Sequence, residues 1–339
     1  MKAIAKTRPE FGVEIIDAPV PHPADGQLLV KIAACGICGS DLHLYLWELG
    51  ADRMVAQLPT ILGHEPAGEI VEVGAGVRGF KVGDHVALDP FGPCGRCASC
   101  QAGRFNFCLE PGRLGGSFAE YAIAPTQNAW LVPRTMDLEQ AALLEPFATG
   151  VHAVEESSLR AGDSCVIEGP GPIGLCTALA ARALGVSALV ITGLSIDAER
   201  LSLAREMGFK TVCASDRDWI EQVRALMPSE GADVVFDAAG FLDSARQLMR
   251  RNGELVEVGW PARDISNAEM RALFFHGAKI IPSRVRMPES WRRSIALLDS
   301  GAVDLKPMVT HRYDLSHGVE AFELLKAKQG VKALIVPRA

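Results

Sequence analysis

Long apolar runs are missing from this chain. Residues Met1 to Glu10 hold nothing like the hydrophobic core of a secretion signal, and no later stretch reaches the roughly 20 apolar residues that span a bilayer. The sequence therefore reads as cytoplasmic, with no membrane partner. Surplus positive charge is missing too: 34 Lys and Arg stand against 41 Asp and Glu, a net charge of −7. Phosphate backbones are bound by concentrated cationic surfaces, so this balance argues against a nucleic-acid partner. There is no internal repeat and no low-complexity segment. Hydrophobic residues at 48% with charged ones at 22% exclude a disordered chain. Small-molecule chemistry is what remains.

What is present starts with size. A chain of 339 residues exceeds the usual limit of one hydrophobic core, so two domains are expected. Nine cysteines in a reducing compartment read as thiols or metal ligands rather than as a disulfide framework.

Residues 1–150 are punctuated by Gly, Pro and short β-branched runs such as Gln27 to Ala33 and Gly68 to Val73, the texture of an irregular, β-rich domain. Residues 151–283 alternate apolar runs with amphipathic stretches, the pattern of βαβ units and a doubly wound parallel sheet. Six strands are predicted, at 164–168, 188–192, 211–213, 233–237, 254–258 and 279–282. Helices are predicted at 172–184, 197–207, 218–227 and 242–251. Residues 284–339, with a helix over 290–300 and a strand-like ending over 331–337, are expected to return to the first domain.

The first predicted strand runs straight into Gly169-Pro-Gly171-Pro172-Ile173-Gly174 and then into an Ala/Leu-rich helix. Gly-x-Gly-x-x-Gly in that setting is a dinucleotide turn. Its first glycine allows the tight bend, the second lets a pyrophosphate approach the backbone, and the third lets helix and strand pack closely. The second strand ends at Gly193, where an acidic residue would hold the ribose hydroxyls of NAD. Without that carboxylate NADP is admissible, with Ser195 or Arg200 on its 2′-phosphate. Asp197 bending back to the ribose would instead serve NAD, the dinucleotide expected first; equally, Asp197 and Glu199 open the next helix as N-terminal acids.

Cys94, Cys97, Cys100 and Cys108 fall within fifteen residues of a loop that begins at Pro90. Four thiolates close a tetrahedral shell and leave no open position, so a zinc there is structural. Two further segments, Cys35-Gly-Ile-Cys38-Gly-Ser40-Asp41-Leu-His43 and Gly63-His64-Glu65-Pro-Ala-Gly68, bring metal ligands to the ends of strands. A catalytic zinc takes about three protein ligands and keeps one place for substrate, and Cys38 and His64 are the first two candidates.

These segments, with Leu144-Glu145-Pro146-Phe-Ala-Thr-Gly150 and Lys306-Pro-Met-Val-Thr-His311, resemble the zinc-containing medium-chain alcohol dehydrogenases, specifically the sorbitol and threonine dehydrogenase branch. The resemblance covers nearly the whole chain. It implies a GroES-like catalytic domain beside a Rossmann domain, a homodimer or homotetramer paired near 279–282, and two zinc ions with NAD or NADP. It also implies that Cys38 and His64 bind the catalytic zinc, while Glu65 and Glu145 share the carboxylate roles, one on the metal and one through water or by exchange.

Asp41 is expected to support the site rather than bind, and Cys35 to be a buried small residue. Ser40 and His43 are expected to relay a proton to water, and Arg286, with Arg284 as its rival, to reach cofactor or polyol. Leu44, Tyr45, Leu46 and Trp47 either line the substrate cleft or fill core. The implied reaction takes hydride from a secondary alcohol such as a polyol, sugar alcohol or cyclitol to NAD(P), giving a ketone. Oxidation of threonine at its hydroxyl is one alternative; a zinc-free quinone-type reductase and a non-catalytic cofactor-binding sensor are others.

Overall fold

The computed structural model describes residues 1–48, 50–55, 57–240, 244–259 and 265–337. It divides into two compact units, Met1–Glu145 with Met308–Ala339, and Pro146–Pro307. The first crossing lies close to the residue 150/151 boundary read from sequence. The second lies at Pro307, well beyond the expected 283/284. The reason is the helix Pro288–Asp299, which stays with the second unit. Its Ser290 hydroxyl and Arg293 guanidinium both bond the carboxylate of Glu155, each at 2.6 Å, on the helix Leu144–Glu156.

The second unit is built on a wholly parallel sheet, in the spatial order Lys210–Cys213, Ala188–Gly193, Ser164–Glu168, Ala232–Asp237, Met249–Glu257, Lys279–Pro282. In chain order this is 3-2-1-4-5-6, the doubly wound arrangement. Every residue of Ser164–Glu168 is buried, as a central strand covered on both faces must be. The helix Pro172–Leu184 begins with proline at its first position and ends on Gly185 at φ 95°, so both of its limits are written in the sequence.

The predicted helix over 242–251 is the main departure. Its residues 242 and 243 lie outside the described residues, and the rest is a short helix, Ala245–Leu248, leading directly into the strand Met249–Glu257. Met249 pairs with Ala232 and is 2% exposed, so sheet pairing claims it before the helix can continue. The helix Asn267–His276 was not foreseen, although its signals are plain. Ser266 and Glu269 form a reciprocal capping box and Gly277 closes the end at φ 74°.

The first unit is β-rich and irregular. Its long strand Gln27–Gly36 pairs antiparallel with Glu65–Val73, Tyr121–Pro125 and the returning strand Lys332–Ile335. The returning segment also supplies the helix Gly318–Lys326, whose Phe322 stacks on Tyr45 at 4.9 Å and meets Phe118 edge-on at 6.0 Å. Tyr45 is 2% exposed and its hydroxyl bonds Glu323. Of the two readings of the Leu44 to Trp47 run, the buried Leu44 and Tyr45 take the core one. No helix of the described residues is long and apolar enough to cross a membrane.

Candidate metal and dinucleotide sites

In the first unit the strand Gln27–Gly36 ends where the strand Glu65–Val73 begins, with Gly36 directly opposite Glu65. Just beyond Gly36 the chain turns into the helix Gly39–Leu46, capped by Cys38. This geometry gathers Cys38, His64 and Glu65, whose candidate ligand atoms all lie within 4.8 Å of one another. Glu145 is buried, at 7% exposure, but stands outside that group. Cys35 is fully buried in its strand, where burial first and the charges of Asp41 and Glu65 next push its thiol pKa well up; it is not a member either.

Asp41 ties the site together. One carboxylate oxygen accepts the backbone N–H of Cys38 at 3.0 Å, and the other lies 3.4 Å from His64 Nδ1. The opposite ring nitrogen, Nε2, is left facing Ser40 Oγ at 3.5 Å. A carboxylate on the far nitrogen fixes ring orientation and raises ligand basicity, the usual support of a metal-binding histidine. Burial lowers the pKa of His64, but the Asp41 charge and hydrogen bond and the adjacent Cys38 sulfur outweigh it, and the pKa is raised well above the ordinary value.

Glu65 has a partner that sequence reasoning missed. Lys332 Nζ donates to its two oxygens at 2.9 and 2.7 Å and to the carbonyl of Ile37 at 3.0 Å. Gly36 makes room for this pair, since a Cβ there would lie 2.1 Å from Glu65 Oε2. The signal available was a single lysine inside the apolar run Val331 to Val336.

Ser40 sits at the His64 ring, while His43 turns outward, with Nδ1 3.4 Å from Glu48. Glu48, just past the helix end, is a second residue not anticipated from sequence.

The four lobe cysteines form a second group, again with all ligand atoms within 4.8 Å. Backbone N–H groups already point at the sulfurs, Cys94 N to Cys108 Sγ at 3.3 Å and Cys97 N to Cys94 Sγ at 3.4 Å. Such donors favour thiolates. Hydrogen bonds from the Leu109 and Cys100 backbones bring the Cys97 thiol down to about 6, whereas burial pushes Cys100 up to about 12. Four converging sulfurs with N–H donors fit a structural zinc.

In the second unit the glycine-rich turn has the expected stereochemistry. Gly169 takes φ 101°, and a Cβ on Gly174 would lie 1.9 Å from the Gly169 carbonyl oxygen. A Cβ on Gly171 would meet nothing within 4 Å, so the protein itself does not require glycine there. A ligand lying against the backbone would require it, and Gly171 caps the helix Pro172–Leu184, whose first turn holds Ile173, with no side-chain hydrogen bond at the cap. The residues present therefore fit a dinucleotide pyrophosphate.

At the end of the second strand, Asp197 folds back on its own turn. Its carboxylate accepts the Leu194 N–H at 3.1 Å and the residue is 9% exposed. Ser195 is exposed and its N–H donates to Ser215 Oγ at 2.9 Å. Arg200 is half-buried in the first turn of the helix Ala198–Glu206. Arg286 is buried at 7% exposure, 3.4 Å from Thr149 Oγ1 and over the Trp291 ring at 5.9 Å. Its neighbour Val285 takes φ 59°, a left-handed conformation unusual for a β-branched residue.

Comparison with known proteins places these sites in context. Residues 24–134 match the alcohol dehydrogenase GroES-like domain, and residues 172–300 match the zinc-binding dehydrogenase domain. The chain is 35% identical to sorbitol dehydrogenase of Halalkalibacterium halodurans over 99% of both chains. It is 34% identical to L-threonine 3-dehydrogenase of Bacillus velezensis, again over 99% of both. Among solved structures, one from Sinorhizobium meliloti 1021, assigned as a zinc-binding dehydrogenase and bound to NADP, superposes with TM-score 0.85 at 32% identity over 99% of both chains.

Proposed function

Because the chain belongs to the zinc-dependent medium-chain alcohol dehydrogenase family, we propose that it oxidises the secondary hydroxyl of a polyol, sugar alcohol or cyclitol to a ketone, reversibly, with NAD or NADP. The observation that carries this reading is the convergence of Cys38, His64 and Glu65, with Asp41 and Lys332 behind them. A thiolate, an imidazole and a carboxylate suit a catalytic zinc, which when bound acidifies an alcohol so that hydride can pass to the nicotinamide.

The chain's own residues do the rest. Cys38 and His64 are the anchoring ligands. Glu65 shares its charge with Lys332 and so acts as a weak, exchangeable donor, and Glu145 serves as the second carboxylate. Ser40, beside His64, takes the substrate proton and His43 passes it toward Glu48 and water. The carboxylate-rich donor set supports hydroxylated substrates, and the L-threonine 3-dehydrogenase relative supports an amino alcohol as the second reading.

A second copy of the chain is the expected partner. Phe274 and Phe275 are 77% and 80% exposed on the helix that leads into the edge strand Lys279–Pro282, and an open strand edge beside apolar surface favours self-pairing.

The deciding experiment is a screen of sugar alcohols, diols, inositols and L-threonine with both dinucleotides, together with zinc analysis. Two zincs per chain and polyol turnover lost in Cys38→Ser are expected. Full activity without zinc at Cys38 would overturn the reading, and preference for L-threonine would select the amino alcohol.

A further inference from the structure

We propose that this chain selects NADP(H) over NAD(H), because Pro170 in the glycine-rich turn occupies the space that an acidic side chain at Gly193 would need. The proposal deepens the dinucleotide reading above and rests on the second unit's turn and sheet, not on the zinc chemistry.

NAD-specific sites place a carboxylate at the end of the second strand, where it accepts the free ribose hydroxyls and repels a 2′-phosphate. Here that strand, Ala188–Gly193, lies beside Ser164–Glu168, whose following turn carries Pro170. A Cβ on Gly193 would stand 2.8 Å from both Cγ and Cδ of the Pro170 ring, and 3.2 Å from Leu201 Cδ2. Carbon atoms pack at about 3.5–4.0 Å, so the site has no room for the first atom of any side chain. The proline ring has no flexible end to swing away. Its φ is locked, and it follows Gly169, which is itself held at φ 101° with a Cβ position already in contact with Ala239. Loss of the acid is thus a property of the whole turn rather than of one position.

Asp197, the first acid after the strand, is buried and holds its own turn, with one carboxylate oxygen on the Leu194 N–H. At the ends of the second and third strands a pair of hydroxyls faces solvent beside the exposed Asp216: Ser215 Oγ lies 3.3 Å from Ser195 Oγ and accepts the Ser195 N–H. Neutral hydroxyl donors, with the Arg200 guanidinium one turn further along, suit a phosphate monoester and leave a free 2′-hydroxyl without its charged acceptor.

The test is direct binding of NADP+ and NAD+ to the zinc-loaded protein by titration calorimetry. NADP+ is expected to bind at least about tenfold more tightly. Gly193→Asp alone is expected to weaken both dinucleotides, because the new side chain meets Pro170. The double variant Pro170→Ala/Gly193→Asp removes the ring carbons as it adds the acid, and is expected to prefer NAD+. Ser195→Ala/Ser215→Ala should lower NADP+ affinity and leave NAD+ within about twofold.

Equal or tighter NAD+ binding by the unaltered protein overturns the proposal. So does a clean switch to NAD+ by Gly193→Asp alone, since Pro170 would then exclude nothing. Binding of neither dinucleotide overturns the site and the preference together. If the NADP+ preference holds, also in Cys38→Ser, while no alcohol is oxidised, the catalytic reading fails and this one stands.

Discussion

Lys332 donates to both carboxylate oxygens of Glu65, at 2.9 and 2.7 Å, across 267 residues of sequence, and each side chain is 1% exposed. The contact joins the returning C-terminal strand to the first residue of the strand Glu65–Val73, one of the three grouped candidate ligands. Were Glu65 to bind a metal, the C-terminal segment would have a chemical task as well as a structural one, because the charge on Glu65 would set its strength as a ligand.

Removing one partner leaves a buried charge uncompensated. Lys332→Met is expected to cost about 3–5 kcal/mol of unfolding free energy in urea titrations, and Lys332→Met/Glu65→Gln to recover much of that loss. A single variant as stable as the parent would show that the pair is not coupled in solution.

The cysteine lobe should behave as an independent metal site. Cys97→Ser is expected to lower zinc from two to about one per chain and to leave the remaining zinc sensitive to Cys38→Ser. Thiolate ligands compete with protons, so zinc is expected to leave the lobe progressively as the pH falls. Zinc content unchanged in Cys97→Ser would refute the assignment.

Glu257 sits directly across the sheet from Asp237, and neither of its oxygens has a hydrogen-bond partner among the described residues. Burial, and then the Asp237 charge, raise its pKa from 4.5 to about 7. Between those values the folded state binds more protons than the unfolded one, so this group's contribution is complete below about 4.5 and is lost as the pH rises through about 7. Glu257→Gln should therefore raise the melting temperature at pH 8 and leave it unchanged at pH 4. A gain confined to acid would reverse the sign and sink the argument.

The exposed Phe274 and Phe275 bear on self-association. Phe274→Ser/Phe275→Ser is expected to shift the protein toward monomer in sedimentation velocity while leaving its circular dichroism unaltered. An unchanged oligomer, or a monomeric parent, would remove this surface from the interface.

The sequence by itself determined the elements whose signals are local. Pro172 and Gly185 mark the ends of one helix, the spacing of Gly169, Gly171 and Gly174 defines the turn, and four closely spaced cysteines specify a candidate metal lobe, because each depends on residues a few positions apart. Capping at Ser266 and Glu269 was equally legible, though it was overlooked.

Tertiary structure alone decided the rest. It paired Met249 with Ala232 and so cut a helix short, and it kept the helix Pro288–Asp299 with the second unit through Glu155. It also brought Lys332 to Glu65 through the gap left by Gly36, and Pro170 against Gly193. These outcomes depend on which strands and helices lie side by side, and contact between distant elements leaves no periodic trace in either one.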